Sequence, residues 1–230
     1  MLLTFVNKTF YKLETLATEN YLKVIYHLHL ANRTVSASEI ALAMEVSLPT
    51  VNSMVKKLAE QKYLEYKKYK PISLTKKGIK TAALIIRKHR LTEMYLTEKM
   101  GFGWEEVHEI AEQLEHLHAP KFFDKIDEIL GYPEIDPHGS PIPDKEGNIQ
   151  SVHLQPLALQ KVGSKHIIKA VADTSEAFLS YLNNKKIKLG NEVKIIRKES
   201  FDGQTTLLVN KRELIVSEVI CNKILVEPTK

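Results

Sequence analysis

Apolar side chains in the first ninety residues recur at helical spacing, then switch to alternation. Tyr21, Leu22, Val24, Ile25 and Leu28 form a stripe after Thr18 that predicts an amphipathic helix. Ser36-Ala37-Ser38-Glu39 has the form of a capping box, in which a hydroxyl and a carboxylate satisfy free backbone amides. A second helix is expected there, with Ile40, Ala41 and Met44 turned inward. The chain then turns through Val46-Ser47, and a third helix is expected from Leu48 to about Gln61. Pro49 suits its first turn, where a missing N–H costs nothing. Val51, Met54, Val55 and Leu58 share the inner face. Leu64 and Tyr66, then Ile72 and Leu74, flank the run Lys67-Lys68-Tyr69-Lys70 and predict a hairpin with a basic tip.

Helix, capped helix, turn, Pro-started helix and basic hairpin, in that order, read as a winged helix-turn-helix. On the outer face of the third helix stand Pro49, Thr50, Ser53, Lys56, Lys57 and Glu60. Short groups let a helix approach base edges, and lysines meet phosphate. Ser47, Pro49, Thr50, Ser53, Lys56 and Lys57, with Lys67, Lys68 and Lys70 of the wing, are therefore the expected contacts to double-stranded DNA. Similar tri-helical units also serve as protein-interaction modules.

Thr75 is placed to cap a long helix reaching about Lys99, with Ile79, Ala82, Ala83 and Ile86 buried. Gly101-Phe102-Gly103 breaks it, a second central helix is expected from Trp104 to about His118, and another from Pro120 to Gly131. Residues 132–150 are rich in Pro and Gly and read as a linker. Beyond Val152 the pattern becomes short strands. Ile187–Ile196 alternates, Asp202-Gly203 marks a hairpin, and Thr206–Val209 and Glu213–Val216 follow, with a helical stretch near Asp173–Asn183. The expected class is α+β, divided as a DNA-binding head (1–75), a helical middle (76–132), a linker (133–151) and a β-rich end (152–230).

Charge sharpens this division. Residues 1–78 hold 12 Lys/Arg against 6 Asp/Glu, whereas residues 105–136 hold 10 Asp/Glu against 2 Lys and carry three histidines. A basic head suits a polyanion and an acidic, His-bearing middle suits a cation. Cys221 is the single cysteine, which excludes an internal disulfide and any multi-Cys zinc site. No long uncharged apolar run or signal peptide is evident, so a cytoplasmic protein with no membrane partner is expected.

The acidic middle also holds a ligand pattern. His108, Glu112, Glu115 and His116 fall at i, i+4, i+7 and i+8, one stripe of a continuous helix, and His89 and Glu93 stand four apart on the helix before. Imidazoles and carboxylates gathered this way suit borderline-to-hard divalent ions. A solvated polar face remains the plainer alternative. The zinc-protease pattern is one ligand short both at His108–Glu112 and, inverted, at Glu112–His116, and no P-loop or nucleophile elbow is present, so an enzyme is not expected.

Taken together, Thr18-Glu19-Asn20-Tyr21-Leu22-Lys23-Val24-Ile25-Tyr26, Ser47-Leu48-Pro49-Thr50-Val51, Arg87-Lys88-His89-Arg90-Leu91, Glu112-x-x-Glu115-His116 and Pro137-His138-Gly139-Ser140-Pro141-Ile142-Pro143 resemble the diphtheria-toxin-repressor family, and within it the manganese-regulator branch. The resemblance implies a metal-activated repressor that dimerises through its central helices, binds palindromic operators and controls metal homeostasis. It implies ligands at Asn20, His89, Glu93, His108, Glu112, Glu115 and His116. Glu112 stands where the family's iron sensors often have Cys, which favours Mn²⁺ over Fe²⁺, with Zn²⁺ able to substitute. Asn20 departs from the family's Met or Asp, and Lys23 falls where the manganese branch has a carboxylate. Asp136, His138 and Asp173 resemble an extra site of longer members, with Asp136 in place of Cys. The end of the chain resembles their small SH3-like barrel, whose role stays open. A metal-independent winged-helix regulator that senses a small molecule is the competing reading.

Overall fold

The computed structural model describes residues 2–32, 35–68, 70–150 and 152–227, excepting the side chains of 2–15 and 32. Tyr69 of the expected wing tip lies outside the described residues. Contacts divide the chain into two units, one of Met1–His89, Gln113–Ala119 and Pro143–Ile149, the other of Arg90–Glu112, Pro120–Ile142 and Gln150–Lys230.

In the first unit, helix α1 runs Leu2–Asn32, well upstream of the expected start after Thr18. Helix α2 (Ala37–Ala43) carries the expected capping box: the Glu39 N–H donates to Ser36 Oγ at 3.2 Å, and the Ser36 N–H donates to Glu39 Oε2 at 2.8 Å. Helix α3 (Leu48–Glu60) starts from Ser47, whose Oγ accepts the Thr50 N–H. Tyr21, Leu22, Ile25, Ile40, Val51, Val55 and Leu58 close one core. The wing strands are short, β1 (Leu64–Glu65) against β2 (Ser73–Leu74), because Pro71 has no N–H to donate. Ile72 bridges back to Val35 instead, its N–H 2.7 Å from the Val35 carbonyl.

Helix α4 (Lys76–Met100) contributes to both units. Thr75 caps it, its Oγ1 accepting the Gly78 N–H at 3.1 Å. Gly78 has no room for a larger residue: a Cβ there would sit 2.1 Å from the Tyr63 carbonyl oxygen.

Helix α5 is shorter than the ligand stripe suggests. It spans Val107–Leu114, so Glu115 and His116 lie in the turn that follows it, not on the helix. At its start Glu106 Oε2 accepts the Gly103 N–H in a separate turn. At its end the Leu117 N–H reaches the Leu114 carbonyl, a tightened turn that precedes Pro120, whose ring disfavours helix in the residue before it. Helix α6 (Pro120–Ile129) follows, and Gly131, at φ +74°, ends it as expected.

The second unit's main layer is a six-stranded antiparallel sheet in the order β3-β8-β4-β5-β6-β7. Its strands are β3 (Gln155–Pro156), β4 (Lys165–Val171), β5 (Glu192–Lys198), β6 (Gln204–Val209), β7 (Arg212–Ser217) and β8 (Ile224–Val226), with α7 (Glu176–Lys185) and α8 (Glu218–Lys223). The alternating stretch expected over Ile187–Ile196 is strand only from Glu192, since Leu189 and Gly190 turn the chain. Leu157, Ile168, Leu179, Leu182, Ile195 and Leu207 form its core, and Leu91, Phe123, Ile126 and Ile142 make a smaller one. The register of β4 against β8 shifts between Ile168 and Ala170. At that bulge Gly139, at φ +86°, comes so close that a Cβ would lie 2.1 Å from the Lys169 carbonyl oxygen, and the Val171 N–H donates to the His138 carbonyl. The irregular strand thus grips the loop 136–141.

Candidate functional site

Each unit gathers its own group of carboxylates and imidazoles. In the first, Glu115 is fully buried, and both of its oxygens are engaged. The Lys23 ammonium donates to Oε1 at 2.7 Å and His89 Nδ1 to Oε2 at 2.6 Å. Burial opposes ionisation of Glu115, but the His89 hydrogen bond and the Lys23 charge outweigh it and hold the carboxyl below its usual range. His116 Nε2 stands 3.6 Å from Glu115 Oε1, and its Nδ1 pairs with Glu19 Oε2 at 2.6 Å. His118 Nε2 lies 3.8 Å from the other Glu19 oxygen. Helix α1 supplies Glu19, Asn20 and Lys23 within one turn, and Asn20 Oδ1 is buried with no hydrogen-bond partner among the described residues. Lys88 is pulled down by burial, against the charges of Glu19 and Glu115.

In the second unit Glu93, Asp136 and His138 are almost wholly buried, and one ligand atom from each lies within 4.8 Å of the others. His138 Nε2 meets the Trp104 carbonyl oxygen at 2.8 Å. A carbonyl only accepts, so Nε2 carries the proton and Nδ1 faces Glu93 Oε2 at 3.7 Å, too far for a hydrogen bond. The Trp104 ring stacks on His138, and its Nε1 donates to Asn183 Oδ1 at 2.9 Å. Asp136 Oδ1 accepts the N–H groups of His138 and Ser140, while Arg90 Nε stands 3.4 Å from Oδ2. Burial and the neighbouring Glu93 charge push the Asp136 carboxyl above its ordinary range, against the opposing pull of Arg90 and His138. For His138, burial disfavours the charged form, yet Glu93, Asp136 and the Trp104 carbonyl together raise it. His108 joins this group at the edge, 3.4 Å from Glu93 Oε1 through Nδ1 and 3.6 Å from Glu112 Oε2 through Nε2.

Asp173 does not join them. Its carboxylate pairs with Lys223 and accepts the Ser175 N–H at 2.8 Å, at the entry to α7. Among the described residues it belongs to no group able to hold an ion. Lys223 sits at the end of α8, which the strand pattern alone does not reveal.

On the head, Ser47, Pro49, Thr50, Ser53 and Lys56 are exposed and Lys57 is half-buried. The Ser47 hydroxyl is committed to the α3 cap and to Thr50 Oγ1 at 2.8 Å. Lys56 of α3 and Lys68 and Lys70 of the wing line one open groove of about 730 Å³ with Asn52 and Tyr66. Lys67 is exposed and its carbonyl accepts the Lys70 N–H at the turn.

Residues 15–72 match the model of the iron dependent repressor N-terminal DNA binding domain, 75–144 that of the iron dependent repressor metal binding and dimerisation domain, and 155–228 that of the FeoA domain. The HTH-type transcriptional regulator MntR of Oceanobacillus iheyensis is 33% identical over 118 residues, covering 51% of this chain and 80% of that protein. The chain belongs to the diphtheria-toxin-repressor family of metal-dependent transcriptional repressors. The iron-dependent repressor IdeR of Mycobacterium leprae is 36% identical over 126 residues, 55% of each chain, so the match spans about half the length of that relative. A solved manganese-dependent transcriptional repressor in complex with manganese superposes with a TM-score of 0.83 at 28% identity, covering 91% of this chain and 98% of that one.

As a member of this family the chain is expected to hold metal, and its unpartnered atoms test that. Among the described residues, Asn20 Oδ1 and His138 Nδ1 are buried polar atoms without hydrogen-bond partners, one in each unit. A buried polar atom left this way is costly unless something fills its coordination. The donors are amide and carboxylate oxygen and imidazole nitrogen, with no thiolate, since Cys221 is buried in the β core. That set fits a borderline-to-hard divalent ion. Glu19, Lys23, Trp104 and Arg90 escape a search for ligand spacing. Glu19 and Lys23 find their partners 97 and 92 residues away, and only the repeated oppositely charged types on α1 hint at them.

Proposed function

We propose that this chain is a Mn²⁺-activated repressor that binds palindromic operator DNA as a homodimer and so controls metal homeostasis. In the first unit Asn20, Glu115 and His116 would hold an ion, with His89 beside them. In the second, Glu93, Asp136, His138 and His108 would hold another, with Glu112 at its edge. A bound divalent cation supplies charge neutralisation and directed bonds to these donors. The chain's own residues do the rest. Glu19 fixes the ring of His116 so that Nε2 faces Glu115, a second-layer contact of the kind that raises ligand affinity.

The observation that carries the reading is that the first group is built jointly by α1, a helix of the reading head, and by the turn after α5. An ion there biases the orientation of the head, which is what a population-shift switch requires. Exposed Phe122 and Ile129 on α6, with Tyr132 and Ile135 beyond it, offer an apolar face for the dimer. Two recognition helices would then meet successive major grooves about 34–36 Å apart. Binding of a labelled palindromic duplex, titrated with Mn²⁺, Fe²⁺ and Zn²⁺ without oxygen, tests this. Affinity should rise with Mn²⁺. Equal affinity with and without every ion would favour a regulator that senses a small molecule instead.

A further inference from the structure

We infer that Lys23 is an internal competitor for the metal: its ammonium holds Glu115 in the ion-free chain and must leave when an ion binds, so this one side chain sets the concentration at which the centre loads. The inference rests on the reading of Glu115 and His116 as ion ligands. Lys23 Nζ lies 2.7 Å from Glu115 Oε1, the same oxygen that His116 Nε2 faces at 3.6 Å. A divalent ion held by that oxygen and that nitrogen would need direct contact with both. An ammonium in hydrogen-bond contact with the same oxygen cannot share that space, and two cations in a pocket where Glu115 has no solvent exposure repel strongly. The other Glu115 oxygen offers no free alternative, being taken by His89 at 2.6 Å.

The rest of the pocket is arranged to receive what Lys23 gives up. Asn20 Oδ1, one turn earlier on α1, is buried without a partner among the described residues, so Lys23 does not satisfy it. Glu19 is engaged with His116 Nδ1 at 2.6 Å and leaves Lys23 as the group in hydrogen-bond contact with Oε1. Lysine suits the part: a compact charge on a flexible stem can withdraw to water without moving the backbone. Its side chain already keeps 12% of its surface exposed, which marks the way out.

The test compares wild type with Lys23→Met, which keeps the stem and removes the charge, and Lys23→Arg, which keeps the charge on a planar fork able to grip a carboxylate through two N–H groups. Mn²⁺ binding is read by calorimetry and ion-free stability by thermal unfolding. Lys23→Met should bind Mn²⁺ about tenfold more tightly or better, a usual coupling between two competing occupants, while losing ion-free stability. Lys23→Arg should bind it more weakly than wild type. A Lys23→Met protein with unchanged or weaker Mn²⁺ binding would overturn the inference and leave Lys23 a structural strut. Should Lys23→Met not fold without metal, Lys23→Arg decides alone: affinity equal to wild type overturns the proposal. If wild type binds Mn²⁺ and the variants do not differ from it, only the competitor role fails. If neither wild type nor variant binds any divalent ion, the metal reading itself fails with it.

Discussion

Glu115 in the first unit and Asp136 in the second are both buried carboxylates beside a histidine and a long basic side chain, yet they end on opposite sides of the ordinary carboxyl range. Glu115 is held below the ordinary range because Lys23 and His89 touch its two oxygens at 2.7 and 2.6 Å. Asp136 is raised because burial and then the like charge of Glu93 outweigh Arg90, whose Nε stands 3.4 Å away. Desolvation works against both, and direct contact with a donor decides which carboxylate overcomes it. The first group is thus neutralised from within, whereas in the second a bound cation would have to offset the burial and the Glu93 charge that disfavour ionised Asp136.

The comparison breaks most sharply at Gly139. Gly139→Ala meets both a positive φ and a carbonyl 2.1 Å from the new Cβ, so it should cost about 3–5 kcal/mol and release the loop of Asp136 and His138. Gly163→Ala, at φ +88° in open space, is the control and should cost only about 1 kcal/mol. Thermal unfolding of the two variants measures the difference. Next in size, Glu19→Gln should weaken ion binding by the first group by about 10- to 100-fold, read by calorimetry, without touching Glu93 or Asp136.

Acidity separates the groups next. A carboxyl lowered by folding, such as Glu115, stabilises above its unfolded value near 4.5, and that stability is lost as pH falls through the folded value. Asp136 and His138 are raised above ordinary values near 3.8 and 6.5, so their contributions are full below those values and fade as pH rises through the folded ones. Ion-free hydrogen exchange should therefore show residues around Glu115 opening in acid, and those around His138 opening as pH climbs past neutrality. Parallel behaviour of both regions would refute the contrast. The smallest effect is on the head. Lys56→Ala or Lys68→Ala should weaken binding about equally to all duplex sequences and reduce the salt slope by about one.

What could be read from the chain was what is local. Ser36 and Glu39 announce α2, Ser47 and Pro49 announce α3, and Thr75 announces α4, since caps are satisfied within three residues. The ligand stripe was legible as residue types but not as geometry. His108 and Glu112 do share α5, whereas Glu115 and His116 leave it at Leu114, where a tightened turn overrides the 3.6-residue period. Strand β4, with its bulge, and helix α8 escaped because their definition comes from pairing across the sheet. The partner of Asp173 was out of reach for the same reason, since Lys223 lies 50 residues on. The Lys23–Glu115 contact spans 92 residues and had no local signature.

The central claim is that an ion held by Glu115 and His116 controls the head. Operator affinity should be measured with and without Mn²⁺ for wild type and for a folded Glu115→Gln, His116→Gln double variant. Wild-type affinity should rise by about 5- to 150-fold on adding the ion, and the double variant should bind the duplex equally in both conditions. A double variant still activated by Mn²⁺, or a wild type indifferent to it, would contradict the account.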